Sequence, residues 1–251
     1  MVKTCAVCIL ALSLLIGVAG AWGQAESEQK GPRPFGIGIS LYAQNQDYVI
    51  DSLSLGIPGM DPNVAKGLSV TNDTTSIHAT FDYWLLPFLD VMALVGRVDG
   101  KTDVKVSELN LGIPLGDITV EYDGIVYGGG FTLAAGHGRF FGTLTTQYTG
   151  TDLDLTDSSV TAWIVTPRAG VTFSRGAVYA GAMYQKAEEK HKGTYTVPVL
   201  GTVPFSVTLH EAQPWNFIAG VNLGLGEHWR VDIEGGLGNR TSGLLHVGYR
   251  F

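Results

Sequence analysis

The chain has 251 residues, 34 of them glycine, and only 16% of its residues are charged. Acidic residues outnumber basic ones, with a formal net charge of −7, and the basic residues are scattered, so nucleic acid is excluded as a natural partner. Both cysteines, Cys5 and Cys8, lie near the amino terminus. The rest of the chain therefore cannot form a disulfide, a cysteine metal site or a thiol nucleophile.

The first 25 residues predict a secretory signal peptide. Lys3 supplies the positive start, residues 6–21 are apolar and uncharged, and small residues follow. Cleavage after Ala21 and cleavage after Ala25 both fit the small-residue rule. The apolar run is short for a membrane span of about 20 residues, which favours a signal peptide over an anchor. We expect residues 26–251 to form one mature domain.

Alternation of apolar with polar or small residues dominates the mature chain. The clearest case runs from Trp215 to Leu223, and a second runs from Trp229 to Leu237. No long uninterrupted apolar run follows residue 25. A closed barrel accounts for this pattern, because lipid requires every backbone group to be paired and a polar lumen accepts the other face of each strand.

Ten such segments are predicted to be strands, each near the ~9–11 residues that a tilted spanning strand needs. They are residues 35–43, 74–86, 90–99, 122–135, 139–149, 160–174, 177–188, 212–225, 228–238 and 243–251. Short and long connections alternate along the chain, so we expect short turns and both termini in the periplasm and the long loops outside the cell. The predicted fold is an all-β, ten-stranded antiparallel transmembrane β-barrel with extracellular β-hairpin loops. Eight or twelve strands are the alternatives, because residues 48–55 and 65–70 allow a separate count.

The aromatic side chains are predicted to form two belts at the membrane interfaces. At the short-turn ends of the strands stand Tyr83, Phe140, Trp229, Tyr249 and Phe251. At the long-loop ends stand Tyr42, Tyr148, Trp163, Tyr184 and Trp215.

The last strand carries a recognisable signature. Leu245, Val247, Tyr249 and the terminal Phe251 resemble the carboxy-terminal signal of Gram-negative outer-membrane barrels. The resemblance extends as an architecture over residues 35–251, and it points to the class of small barrels that includes the opacity type without identifying a subfamily. It implies integral outer-membrane localisation, contact with outer-membrane lipid and lipopolysaccharide, and delivery by the barrel-assembly machinery.

A short repeat appears in the long loops. Residues 53–58, LSLGIP, recur at 109–114 as LNLGIP, and residues 195–201 with Val203-Pro204-Phe205 are a looser relative. They are read as three hairpins that continue the strands above the membrane, with apolar tips that are costly to leave in water. The alternative is convergent turn chemistry. The tip residues proposed to form an extracellular binding or adhesion surface, for a protein or other surface ligand, are Ile57, Pro58, Ile113, Pro114, Val199 and Phe205.

Charged residues on the polar face are expected to line the lumen. The predicted set is Asp82, Arg97, Arg168, Arg230, Asp232, Glu234 and Arg250, with His78, Asp99 and His246 on the same face. Ion pairing is the leading interpretation, since a barrel of about eight strands is filled by side chains and ten is close to that limit. A narrow porin-like channel lined by the arginines is the alternative, and a purely structural protein is the second. No catalytic residue, metal site or cofactor is predicted.

Overall fold

The computed structural model describes residues 33–55, 68–105, 117–154, 158–197 and 201–251. These residues contain eleven β-strands, and none of their segments is a helix long and apolar enough to cross a membrane. The strands are β1 Phe35–Leu55, β2 Val70–Leu86, β3 Leu89–Val104, β4 Ile118–His137, β5 Phe140–Leu153, β6 Ser159–Phe173, β7 Gly176–Val197, β8 Gly201–Glu211, β9 Trp215–Leu225, β10 Trp229–Gly238 and β11 Arg240–Arg250.

Ten of these strands form a closed antiparallel ring. The order is β1-β2-β3-β4-β5-β6-β7-β9-β10-β11, and β11 pairs back onto β1 from Gly36↔Arg250 to Gln46↔Arg240. The short turns lie at one end of the ring, which we call the lower rim. Gly138 and Gly226 in two of these turns have φ of 60° and 74°, a conformation that favours glycine. The predicted ten-stranded barrel is confirmed.

Strand β8 builds a second, narrower ring above the first. It pairs with β7 from Glu188↔His210 to Val197↔Gly201, and with β1 from Tyr48↔Glu211 to Leu55↔Phe205. Above the β10–β11 turn, β8 therefore takes the place of β9, β10 and β11, and eight strands form the wall. We call this eight-stranded part the collar and the ten-stranded part the membrane ring. The collar consists of residues 47–55, 68–74, 97–105, 117–123, 150–153, 158–162, 188–197 and 201–211.

The two faces of strand β1 exchange polarity where the ring becomes the collar. Below Gln46 the outward residues are apolar and exposed, such as Ile39 at 57%, while the inward Ser40 is polar and buried. Above Gln46 the outward Asp51 is exposed and the inward Ile50 is buried. An apolar outer face suits lipid and a polar one suits water. The edge of the bilayer on this strand therefore lies close to Gln46.

The aromatic rings form two groups at the two ends of the membrane ring. Rings in contact at the lower rim are Phe35, Tyr83, Trp229, Tyr249 and Phe251, with centroids between 4.7 and 6.1 Å apart. Rings in contact near the collar are Tyr148 with Trp163 and Tyr184 with Trp215, both at 5.1 Å. The expectation for Tyr42 was wrong. Its side chain faces the lumen and its hydroxyl donates to Gln44 Oε1 at 3.0 Å.

The carboxy-terminal signature lies at the seam that closes the ring. Leu245 and Val247 are exposed on the outer face of β11, and Tyr249 shares that face. The backbone N–H of Phe251 donates to the carbonyl of Phe35 at 3.1 Å, so the last residue pairs with the first strand. The seam thus presents the predicted signature residues to the lipid side.

Candidate functional site

The collar has an apolar core of its own. Side chains from β1, β2, β3 and β8 meet inside it, and Leu209 and Ile50 are 0% and 1% exposed. The cluster comprises Tyr48, Ile50, Leu53, Leu68, Val70, Val104, Val207 and Leu209. The collar is therefore built like a small water-soluble barrel, with its apolar side chains turned inward.

Phe205 belongs to this interior. It was predicted to be an exposed loop tip, but its ring is half-buried and packs against the collar core. The reason is the period of β8, which places residue 205 on the same face as Val207 and Leu209. The prediction for Phe205 was wrong. Ile57, Pro58, Ile113, Pro114 and Val199 lie outside the described residues.

A second cluster fills the other side of the collar. Val98, Tyr122 and Leu153 are buried together, and the Tyr122 ring meets the His191 ring, with the two centroids 5.5 Å apart. Asn72 donates from Nδ2 to the Tyr122 hydroxyl at 2.7 Å. Tyr122 is on β4 and His191 on β7, so contacts cross the interior between strands that are not neighbours. Side chains fill an eight-stranded ring in this way.

The Tyr122 ring lies over a glycine on the adjacent strand. A Cβ atom at Gly100 would lie 2.2 Å from Cζ of Tyr122, so any other residue at position 100 would displace the ring. Burial raises the pKa of the Tyr122 phenol, and the carboxylate of Glu189 raises it further. Glu189 itself is buried and lies 3.2 Å from Nε2 of His191. Polar groups and apolar clusters therefore share the interior of the collar.

Arg240 stands at the junction of the collar and the membrane ring. Only 2% of it is exposed, and its Nη1 donates to Gln46 Oε1 at 3.0 Å and to Gln185 Oε1. Its Nε and Nη2 atoms are buried without a hydrogen-bond partner among the described residues. Arg240 is absent from the predicted lumen set because it falls between the predicted strands 228–238 and 243–251. Continuing the inward period of β11 upward from Leu244 through Ser242 would have found it.

Two ion pairs bridge the lumen of the membrane ring. Arg168 Nε donates to Glu234 Oε2 at 2.8 Å, and Arg250 pairs with Asp82. The Arg168 guanidinium also lies 5.6 Å from the centre of the Tyr179 ring. Each pair joins strands that are not neighbours and compensates charges held away from bulk water. These four residues lie on the inner face, as do Asp232, which accepts a hydrogen bond from Asn222, and Arg230 at the lower mouth.

Arg97 does not belong to the lumen. Its side chain is 63% exposed on the outer face of β3, where it pairs with Asp123 and lies 3.8 Å from Asp99. The inward positions on either side are Gly96 and Val98. The prediction for Arg97, and for Asp99 beside it, was wrong. A charged outer face at this level means that β3 has already left the apolar band and entered the collar.

Between the ion pairs and the collar core lies a cavity of about 450 Å³. Strands β1, β2 and β11 give it a polar wall, where Ser40 Oγ and His246 Nδ1 are 2.8 Å apart. Strands β3, β4, β6 and β7 give it most of its apolar side chains, which we call the apolar wall, and β5 between them adds Thr145, Gln147, Thr149 and Thr151. The apolar side chains are Met92, Leu94, Val98, Val126, Ile164 and Met183. Within the described part of the chain, no group of three or more His, Cys, Asp or Glu residues is arranged to hold a metal ion.

Comparison with known proteins agrees with the architecture. No family model and no curated protein matches the chain. Among solved structures, the outer-membrane protein OprG of Pseudomonas aeruginosa has a TM-score of 0.50 at 13% identity, covering 90% of this chain and 99% of that one. The translocator domain of the autotransporter NalP of Neisseria meningitidis has 0.41 at 13% identity, covering 99% and 97%. The outer-membrane protease OmpT of Escherichia coli has 0.45 at 7% identity, covering 90% and 99%.

Identities this low establish the fold alone. The chain has the fold of a small Gram-negative outer-membrane β-barrel, and its exposed apolar band and paired aromatic rings suit a bilayer. The subfamily is not identified by these relatives.

Proposed function

We propose that the protein is a non-enzymatic integral outer-membrane barrel whose collar carries a binding or adhesion surface outside the cell. The observation that supports this most is the apolar core of the collar, in which Ile50 and Leu209 are almost fully buried. A barrel that only anchors itself in lipid needs no such core above the membrane. A rigid, independently packed platform is suited to holding loops in a fixed arrangement for a partner.

The strand ends of the collar support the choice of surface. Three pairs of consecutive strands are connected at the far side of the collar: β1 with β2, β3 with β4, and β7 with β8. The connections that contain the repeated segments therefore all start and finish at this one side. The outer wall below them is polar, with pairs such as Lys101 with Asp103 and Lys105 with Asp117, both at 2.9 Å. If the apolar residues of the repeated segments lie beyond this soluble wall, as the sequence predicts, a partner that covers them would fit there.

The filled collar argues against the narrow channel. A solute path would have to pass the Tyr122–His191 contact and the apolar cluster around Leu209. The Ser40–His246 pair resembles two members of a hydrolytic triad, but its third member is not seen in the part of the chain that the structure describes, which supports the non-enzymatic part of the proposal. Among the described residues, no carboxylate is hydrogen-bonded to the His246 ring, so the orienting acid of a hydrolytic triad is missing there.

Cells of a laboratory strain that display the full chain test the proposal directly. We expect them to adhere to wells coated with extracellular matrix protein at least roughly tenfold better than cells without it, since several buried apolar contacts carry most binding energy. Serine at positions 57, 58, 113, 114 and 199 together should abolish the gain. The matched control is Val49→Ser, which changes an exposed apolar residue on the collar wall and should retain it.

Two results would refute the proposal. The first is equal adhesion by cells with and without the barrel when surface proteolysis shows that the chain is displayed. The second is stepwise conductance in a planar bilayer that changes with Arg230→Ala, because that result would favour the channel.

A further inference from the structure

We infer that the lumen cavity, which runs from the ion pairs of the membrane ring into the lower part of the collar, is a binding site for a small, uncharged, mostly apolar molecule with one hydrogen-bonding end. The site is separate from the proposed collar surface, and it does not depend on what the loops bind. Its volume, about 450 Å³, lies within the ~300–1,000 Å³ range of small-molecule pockets.

The apolar wall is the first observation. The interior of an outer-membrane barrel is normally polar and wet. Here Met92 and Leu94 on β3, Val126 on β4, Ile164 on β6 and Met183 on β7 line one side of the cavity, on both sides of a polar strip from β5. Apolar side chains of this extent are unfavourable against water, and the cavity beside them accepts an apolar guest.

The polar wall supplies a place for one hydrogen-bonding group. Thr80 lines the cavity, and its Oγ1 atom is buried without a hydrogen-bond partner among the described residues. Ser40 and His246 form their own hydrogen bond on the same wall, with His78 beside them. Rotation of the Thr80 side chain would bring Oγ1 to the cavity, where a hydroxyl or carbonyl group at one end of a guest would satisfy it while the rest of the molecule covers the apolar side.

The charges around the cavity select against anions. Its lining contains five carboxylates and only two arginines, and both arginines are already paired. The carboxylates are Asp82, Asp90, Glu189, Asp232 and Glu234. An added carboxylate would meet a surplus of like charge in a region of low dielectric constant. A cation would have to give up its hydration beside the apolar side chains, which is costly unless it is fully paired. The guest is therefore neutral.

The ends of the cavity explain how a guest would be retained. The collar core closes the top, and Arg168 and Tyr179 lie between the cavity and the open concavity at the lower mouth. A guest enters from the lower mouth only when these two side chains move aside.

Methionine methyl signals test the site on the refolded full-length mature barrel in detergent, because Met92 and Met183 both face the cavity. The chain labelled with ¹³C-methyl methionine is titrated with 1-hexanol and, separately, with hexanoate. We expect hexanol to shift both cavity methyl signals in a saturable way and hexanoate to leave them unchanged at the same concentrations. Equal shifts with both probes, or no saturable shift with hexanol, would overturn the inference.

A pair of chemically identical substitutions locates the effect. Val126→Asn places a polar group on the apolar wall and should weaken hexanol binding by roughly tenfold or more. Val49→Asn makes the same change on the outer wall of the collar and should leave the binding curve as in the native chain. Loss of binding in both, or in neither, would contradict the assignment. If Val126→Asn does not give the folded, heat-modifiable barrel, Met183→Gln serves in its place, and the comparison of hexanol with hexanoate stands without any variant.

Discussion

The membrane ring and the collar are built largely from the same strands, yet they bury opposite faces. In the ring, the outward Ile39 is exposed and the inward Glu234 is buried in an ion pair. In the collar, the outward Asp51 is exposed and the inward Leu209 is fully buried. The alternation of β1 continues across Gln46 as far as a bulge between Ile50 and Ser52, and only the surroundings differ. The comparison shows that a period-two pattern identifies a strand but does not by itself say which face is inside.

The two interiors should also respond differently to mutation. The ring is held together inside by a few compensated charges, and the collar by many apolar contacts. Removing one member of an ion pair leaves a buried charge, while trimming an apolar side chain leaves a void. Each interior can therefore be tested with a substitution that leaves the other unaffected.

The largest effect is expected from Arg168→Ala in the membrane ring. The substitution leaves Glu234, whose side chain is 4% exposed, as a buried charge without its partner. Breaking a buried pair from one side costs about 3–5 kcal/mol of unfolding free energy. Reversible unfolding in urea with lipid present measures the loss. The double variant with Glu234→Ala should recover most of it, and a single-variant loss below about 1 kcal/mol would show that the pair does not stabilise the ring.

A somewhat smaller effect is expected from Leu209→Ala in the collar. Trimming a fully buried leucine costs about 2–5 kcal/mol through lost contacts and the remaining void. Hydrogen exchange of the β1 amides in residues 48–55 should quicken, while the amides of the membrane ring stay protected. The matched control is Leu237→Ala on the lipid-facing side of β10, where the residue is 70% exposed. If both variants loosen residues 48–55 equally, the collar has no separate core.

The smallest effect is expected on the water-exposed outer wall of the collar. Hydrogen bonds from the Thr119 hydroxyl and from Lys101 lower the pKa of Asp103 below its ordinary value of 3.8. A carboxyl with a lowered pKa stabilises the folded state above pH 3.8, and this contribution is lost as the pH falls through the folded pKa. Carboxyl ¹³C titration of the native chain and of Thr119→Val measures it. The pKa should rise in the variant, and an unchanged pKa would mean that the hydroxyl is not the donor.

Much of the membrane ring could be predicted from the sequence. A strand such as 215–225 has few possible arrangements when lipid lies outside, the lumen is polar and every backbone group must be paired. The number of strands in the ring and its closure could therefore be predicted. The extent of β1 and β7 did not follow. Beyond Gln46 apolar and polar residues still alternate, but with the opposite faces apolar. Such a pattern fits a hairpin in a loop as well as a longer barrel strand.

The site was harder to predict for the same reason. Arg97 was predicted to face the lumen because a charged side chain on a barrel strand was expected to point inward. That expectation holds only within the apolar band. Phe205 was assigned to a tip because a Gly/Pro-rich stretch precedes it, although its spacing from Leu209 places it in the core. The apolar wall of the cavity depends on side chains from four strands that the sequence separates by up to 91 residues, from Met92 to Met183.

Strand β1 takes part in two closures at once. Its first half completes the membrane ring by pairing with β11, the last strand of the chain, and its second half completes the collar by pairing with β8. One edge of nascent β1, opposite β2, must therefore stay open along two segments, residues 48–55 for a partner some 150 residues away and residues 36–46 for a partner some 200 residues away. The collar's closing strand emerges first along the chain, so the collar hairpin has to find its edge while the seam below it is still unsealed. Closure of the membrane ring and closure of the collar are thereby linked, because both are completed on a single strand.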